Sequence, residues 1–194
     1  MRSVIVTMNV SLDGVVQGLG RRDEDTRGGF AHGGWGTWNQ DDVLAREMGK
    51  GMDRPGDMLF GRRTWQDFIS AWSDREDDNA FTAHLNAVTK YVVSTTLEDA
   101  DAWQNSVLLR GDATQTVAAL KAQDGNDLAI VGSAALVRDL HAVGLIDHYT
   151  LVIHPITLGS GTRMFEGPAP LTTFGLTSSV TTTKGVIVAH YDRR

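Results

Sequence analysis

Residues Asp57–Phe68, DMLFGRRTWQDF, constrain the fold more than any other stretch. Met58-Leu59-Phe60 is a short apolar run bounded by Pro55-Gly56 and by Gly61, the pattern of a buried strand. Gly61 permits a tight turn and a close backbone approach, and Arg62, Arg63 and Thr64 stand where a helix begins. The order recurs at Leu128–Val131, Gly132 and Ser133. Ser133 is placed there as an N-cap. Leu136, Val137, Leu140 and Val143 then fall on one helix face, and Gly144 stops the helix. With a further strand over Tyr149–Ile156 this is a βαβ unit, which requires a mostly parallel sheet. Ligands of open α/β sheets gather beyond the carboxyl ends of strands, so Gly61 and Gly132 point to one crevice. Free N–H groups at a helix start, two guanidiniums and a hydroxyl suit a phosphate. The same residues also suit a plain strand–turn–helix junction with its arginines in water.

The rest of the chain supplies elements for such a sheet. Val4, Val6, Met8, Val10 and Leu12 alternate with Ile5, Thr7, Asn9 and Ser11, which predicts a strand ended by Asp13-Gly14. Residues 14–36 carry eight glycines and read as a long loop, either a plain insertion or a lid. In the lid reading residues 15–38 close over a ligand and bury Trp35 or Trp38. Asn39 is the expected N-cap of a helix over 40–53 with Val43, Leu44, Met48 and Met52 as its stripe. Asp41 and Asp42 in its first turn either complement the helix dipole or handle a proton.

Asp74–Asn79 is a solvated acidic loop, and Phe81, Leu85 and Val88 mark a short helix. Strands follow at 91–94 and 106–109, then a helix containing Val117 and Leu120 that ends at Asp124-Gly125-Asn126. Residues 181–188 form a hairpin turning at Lys184-Gly185. Leu158-Gly-Ser-Gly-Thr162 lacks dinucleotide-fingerprint spacing, and the six histidines lack metal-ligand spacing.

A net charge of −6, from 18 basic and 24 acidic residues, argues against general binding to nucleic acid or anionic membranes. Without cysteine the chain has no disulfide, thiolate catalysis or Cys-ligated zinc, and the cytoplasm is the expected compartment. The 194 residues are expected to form one domain.

Several of these motifs resemble the dihydrofolate reductase superfamily: Ser11-Leu12-Asp13-Gly14, Gly61-Arg62-Arg63-Thr64-Trp65, Lys90-Tyr-Val-Val-Ser94 and Val131-Gly132-Ser133. Leu145-Ile-Asp147, His154-Pro155, Leu158-Gly-Ser-Gly161 and Met164-Phe165 look like one branch of it, the reductase domain of the bifunctional riboflavin-biosynthesis deaminase-reductase. The resemblance spans nearly the whole chain. It implies a three-layer α/β/α fold with a mostly parallel sheet and an antiparallel C-terminal hairpin. It also implies NADPH, a pyrimidine- or pteridine-type substrate and a homodimer.

Carried over by motif, Gly61, Arg62, Arg63 and Thr64 hold cofactor phosphates, and Ser94 and Thr95 lie by the adenosine ribose and its 2′-phosphate. Gly132, Ser133, Ala134 and Ala135 hold the pyrophosphate. Asn9, Asp13 and Val16 lie near the nicotinamide, and Asp41 or Asp42 is nearest to the proton-assisting carboxylate of dihydrofolate reductase. The chain departs from that enzyme in having Gly132-Ser133 where it has Gly-Gly. It departs from the riboflavin branch in lacking Asp-x-Pro-x-Leu after the Gly61 turn and in lacking the zinc deaminase half.

Overall fold

The computed structural model describes residues 1–51, 56–73, 75, 77–167 and 169–194. Met52, Pro55, Asp74 and Glu76, which the sequence reading placed in the first helix, the strand boundary and the acidic loop, lie outside the described residues.

Eight strands form one sheet: β1 (Val4–Ser11), β2 (Gly56–Gly61), β3 (Lys90–Ser94), β4 (Ser106–Arg110), β5 (Asp127–Val131), β6 (His148–His154), β7 (Phe174–Thr181) and β8 (Ile187–Arg193). Their order is β4-β3-β2-β5-β1-β6-β8-β7. The pairings from β4 to β6 are parallel, whereas β6–β8 and β8–β7 are antiparallel. Among the described residues five α-helices connect them: α1 (Asp42–Lys50), α2 (Arg62–Phe68), α3 (Ala80–Ala87), α4 (Ala113–Lys121) and α5 (Ala134–Ala142). This is the mostly parallel sheet with an antiparallel C-terminal hairpin that the resemblance implies, and no described helix is long and apolar enough to cross a membrane.

Strand alternation sorts the helices into two layers. Val4, Val6 and Met8 of β1 share one face with Leu128 and Ile130 of β5 and Leu59 of β2, and there Val117 and Leu120 of α4 and Leu136, Val137 and Leu140 of α5 pack on them. Met58 and Phe60 point the other way, against Trp65 of α2 and Leu85 of α3. On that side Leu44 of α1 packs on Val152, Val186 and Val188. Burying an aliphatic side chain of this kind contributes about 1.5–3 kcal/mol, so both layers are held chiefly by apolar contact.

Two buried cations pin the amino-terminal side of the sheet. Arg2 pairs with Asp57 and donates to the Asn126 carbonyl. Lys90, fully buried at the start of β3, donates through Nζ to the carbonyls of Leu85 (2.6 Å) and Val88 (3.0 Å), covering the open end of α3. Its ammonium lies over the Trp103 ring at 4.8 Å, and burial pushes its pKa down to about 8.

Three sequence expectations change, and one feature is new. Leu12 is exposed, because β1 ends at Ser11; the Ser11 hydroxyl, which accepts from the Val15 amide (2.9 Å), is buried in its place. Asp41 rather than Asn39 caps α1, accepting from the Leu44 amide at 2.8 Å. Val143 sits at the C-cap of α5, past the buried stripe, and is exposed. The helix begun at Arg62 continues as one π-type turn over Ile69–Ser73, which the sequence did not suggest.

Candidate functional site

The turns after β2 and β5 are locked together. The Gly61 amide donates to Ser133 Oγ at 3.1 Å, and the Ser133 amide donates to Thr64 Oγ1 at 3.1 Å. Ser133 therefore caps no amide of its own helix. It adopts a left-handed backbone (φ 51°, ψ 47°), directly after Gly132 at φ 72°. The Gly-Ser sequence thus keeps two successive left-handed residues, the second of which is costly for a residue with a Cβ. The Gly61 and Ser133 amides are used in this lock, while each hydroxyl keeps its own O–H and a second lone pair. Beside it lies the start of α5, where the amides of Ala134, Ala135 and Leu136 have no intrahelical acceptor.

Beside this lock, Arg62 Nη1 donates to Thr96 Oγ1 at 2.6 Å, joining the end of β3 to the start of α2. Ser94 Oγ accepts from the amides of Thr96 (3.1 Å) and Leu97 (3.0 Å), so its hydroxyl closes its own turn. Thr95 is exposed. Neither Arg62 nor Arg63 has an ion pair among the described residues, although the chain is net acidic. Thr96 is the contact that sequence reasoning missed; its only signal was the run of three hydroxyls after β3.

Between α1, which covers β6 and β8, and α2 with α3, which cover β2, β3 and β5, the central strand β1 is left uncovered. Ile5, Thr7 and Asn9 there are only partly buried. Register sets Val131, Thr7, Thr150 and His190 in one row across four strands. Thr150 Oγ1 and His190 Nδ1 are 3.0 Å apart. With no described helix packed over them, these polar side chains leave a partly exposed strip in the middle of an eight-stranded sheet, a candidate floor for a ligand cleft. The period of two in β1 already put Thr7 and Asn9 on one face; Thr150, His190 and His154 carried no such signal.

The Gly-rich loop closes one end of this cleft and is itself ordered by contacts. Trp35 is fully buried, with its indole N–H on the Gln17 carbonyl at 2.7 Å, and packs with Val15 and Phe30. Gln17 donates to the carbonyls of Asp25 (3.2 Å) and Arg27 (2.9 Å) and accepts from the Thr162 amide (2.9 Å). Arg27 pairs with Asp25 and reaches Asp67 of α2 at 3.2 Å. Of the two tryptophans in the lid expectation, Trp35 is fully buried and Trp38 is 64% exposed.

Asp13 and Val16 tie down the neighbouring turn. The Asp13 carboxylate accepts from Ser11 Oγ (2.7 Å) and from the amides of Leu158 (3.1 Å) and Gly159 (2.8 Å), which holds its pKa down to about 2. The Val16 amide donates to the Thr162 carbonyl at 2.9 Å. At α1 the second oxygen of Asp41 accepts from Thr183 Oγ1 (2.7 Å) and the Lys184 amide (3.1 Å), joining the helix to the β7–β8 hairpin. These donors hold its carboxyl far below the usual range, with the Thr183 hydroxyl foremost. Asp41 carries no proton near neutrality. Asp42 is exposed on the first turn of α1 and makes no hydrogen bond among the described residues.

A mostly parallel eight-stranded sheet ending in an antiparallel hairpin, with two strand–helix turns locked together at one crevice, is a dihydrofolate reductase-like α/β fold. Within that fold class the chain belongs to the RibD C-terminal domain family, whose model matches residues 2–188. It is 24% identical over 197 residues to the uncharacterized protein YyaP of Bacillus subtilis (strain 168), covering 98% of this chain and 94% of that one. A candidate riboflavin biosynthesis protein from Shewanella sp. PV-4 has a solved structure with TM-score 0.70 and 20% identity, covering 99% of both chains. A pyrimidine reductase-like protein from Corynebacterium diphtheriae aligns with TM-score 0.63 and 12% identity, over 100% of this chain and 92% of that one.

Proposed function

We propose that the protein is an NADPH-dependent reductase of a pyrimidine- or pteridine-type heterocycle, most similar in activity to 5-amino-6-(5-phosphoribosylamino)uracil reduction. The observation that carries the reading is the placing of Arg62 and Arg63, without an ion pair among the described residues, beside the open α5 amides at one end of the polar strip. An elongated polyanion fits the first part, and a flat ring with hydrogen-bonding edges fits the second. The family match and the pyrimidine reductase-like and riboflavin-related neighbours support the same class.

The residues present fit the cofactor. Arg62, steadied by Thr96, and Arg63 would meet the 2′-phosphate, with Thr95 beside them, while Ala134 and Ala135 offer amides to the pyrophosphate. Gly61, Thr64, Gly132 and Ser133 hold these groups in place through their mutual hydrogen bonds, and Ser94 shapes the adenosine end. Asn9 would face the nicotinamide and substrate, while Asp13 and Val16 fix the turn beside them. When bound, the reduced nicotinamide supplies the hydride. The protein's own task is to exclude water, orient both rings and manage one proton. Of the two carboxylates first in α1, only Asp42 has free oxygens, so it is the remaining candidate of that pair. Dihydrofolate reduction is the less favoured activity, because Asp41 is committed to the cap and the hairpin.

NADPH oxidation assayed separately with the ribosylaminouracil phosphate and with dihydrofolate tests the reading. Turnover on the first is expected. No fluorescence quenching and no thermal protection by NADPH would end the proposal, and saturable NADPH binding without turnover on any heterocycle would make the protein a binding module. We also propose a cytoplasmic homodimer that covers the outer edge of β7, whose backbone is otherwise unpaired on one side. A single 21.1 kDa species by light scattering would refute the pairing.

A further inference from the structure

His154 ends β6 and is fully buried, and none of the roles above uses it. Its Nε2 lies 2.9 Å from Oδ1 of Asn9. Its Nδ1 is buried and has no hydrogen-bond partner among the described residues. Trp35 closes over the same ring edge-on, with centroids 5.1 Å apart and planes at 84°. The histidine is thus seated between the Gly-rich loop on one side and the open strip of β1 on the other.

The hydrogen bond fixes the proton. An amide oxygen only accepts, so Nε2 carries the hydrogen and Nδ1 is bare. Turning the Asn9 amide over would require a bare Nε2 and would strand an N–H at Nδ1 with no acceptor. Buried N–H groups without partners are rarer in proteins than under-used acceptors. With its oxygen held by His154, Asn9 is left with an amide nitrogen that bonds nothing in the described protein. Asn9 is partly exposed on the cleft floor, so this nitrogen is the open end of the group.

We propose that His154 is a positioning residue that sets the polarity of the Asn9 amide, so that Asn9 offers N–H donors to the cleft and selects a ring bearing a carbonyl or bare ring nitrogen at that point. An amino group presented there would leave donors facing donors and both unpaired, the situation that discriminates most strongly in a buried site. Trp35 holds the imidazole in the plane this requires, which couples the loop to the selection. The inference rests on the strip being the heterocycle site.

Two measurements test it. The first needs no ligand: nitrogen-15 NMR of the histidine rings in the wild-type protein should show His154 as the Nε2–H tautomer. The Nδ1–H tautomer would overturn the proposal whether or not the enzyme turns over. The second is a double-mutant cycle with NADPH and the ribosylaminouracil phosphate. Asn9→Ala should raise KM about tenfold, the loss of one hydrogen bond to the ring. His154→Phe, which keeps a ring against Trp35, should raise KM several-fold in the wild-type background and not at all in Asn9→Ala. Equal losses in both backgrounds would make His154 a packing residue only. Absence of turnover by the wild type would defeat the proposed function, and the tautomer would still decide the polarity of Asn9.

Discussion

Substituting Ser133 by alanine separates the two halves of the turn lock. Ser133 is 8% exposed, and its Oγ is the acceptor for the Gly61 amide at 3.1 Å. Leaving that amide without a partner costs about 1–3 kcal/mol. Alanine keeps the left-handed backbone at φ 51°, which itself costs about 1–2 kcal/mol. Glycine at the same position also loses the hydrogen bond but relieves the backbone term, offset by about 0.5–1 kcal/mol of extra chain entropy in the unfolded state. Ser133→Ala should therefore be destabilised by roughly 2 kcal/mol, and Ser133→Gly should recover about 0.5–1 kcal/mol of that. For a chain of this length the alanine variant should melt about 4–8 °C lower. Urea unfolding of the three proteins, with a common slope, measures both differences. An alanine variant within 0.5 kcal/mol of wild type, on the scale at which surface changes are silent, would refute the lock. A glycine variant less stable than the alanine one would refute the backbone argument.

Arg62→Ala should weaken NADPH about tenfold to a hundredfold and leave NADH nearly unchanged, by calorimetric titration at low salt; equal losses would move Arg62 to the shared pyrophosphate. Lys90 carries a folded pKa of about 8 against 10.5 unfolded, so between those values the unfolded chain binds the extra proton and stability rises with pH. The slope is at most about 1.4 kcal/mol per pH unit, it should be read between pH 8 and 10, and Lys90→Met should abolish it. Asp41→Asn should lower the melting temperature while sparing kcat. Its depressed pKa means the wild-type advantage is present above the ordinary carboxylate range and is lost as pH falls below it. A variant with intact melting and no turnover would restore Asp41 as a catalytic group.

Period-two alternation was enough to place β1 and its polar face, because one face must meet a packed layer and the other need not. The strand–glycine–helix order likewise located both crevice turns. That Ser133 and Thr64 bond across 69 residues of chain was not legible, since nothing local distinguishes a hydroxyl that caps its own helix from one that reaches a neighbour. Asp41 against Asn39 as cap was undecidable by propensity, because both residue types cap well. Most of β7 was invisible: FGLTSSVT lies on a sheet edge and lacks the buried alternation that reveals inner strands. His154 showed only its place in the His154-Pro155 motif, since a histidine's burial depends on which loop comes to rest on it.

The sheet order has a consequence for how the chain is made. β1 is completed on one side by Leu128 and its neighbours and on the other by His148 and its neighbours, all far later in the chain. At ribosomal rates of about 5–20 residues per second, Val4 waits about 6–25 s before Leu128 exists to pair with it. Until α4 is made, Val4, Ile5 and Val6 have neither neighbouring strand nor covering helix, and they form an apolar edge of the kind that recruits other chains. β2, β3 and β4 can meanwhile assemble in the order of their synthesis. The centre of this protein is therefore the last part of its parallel sheet to close.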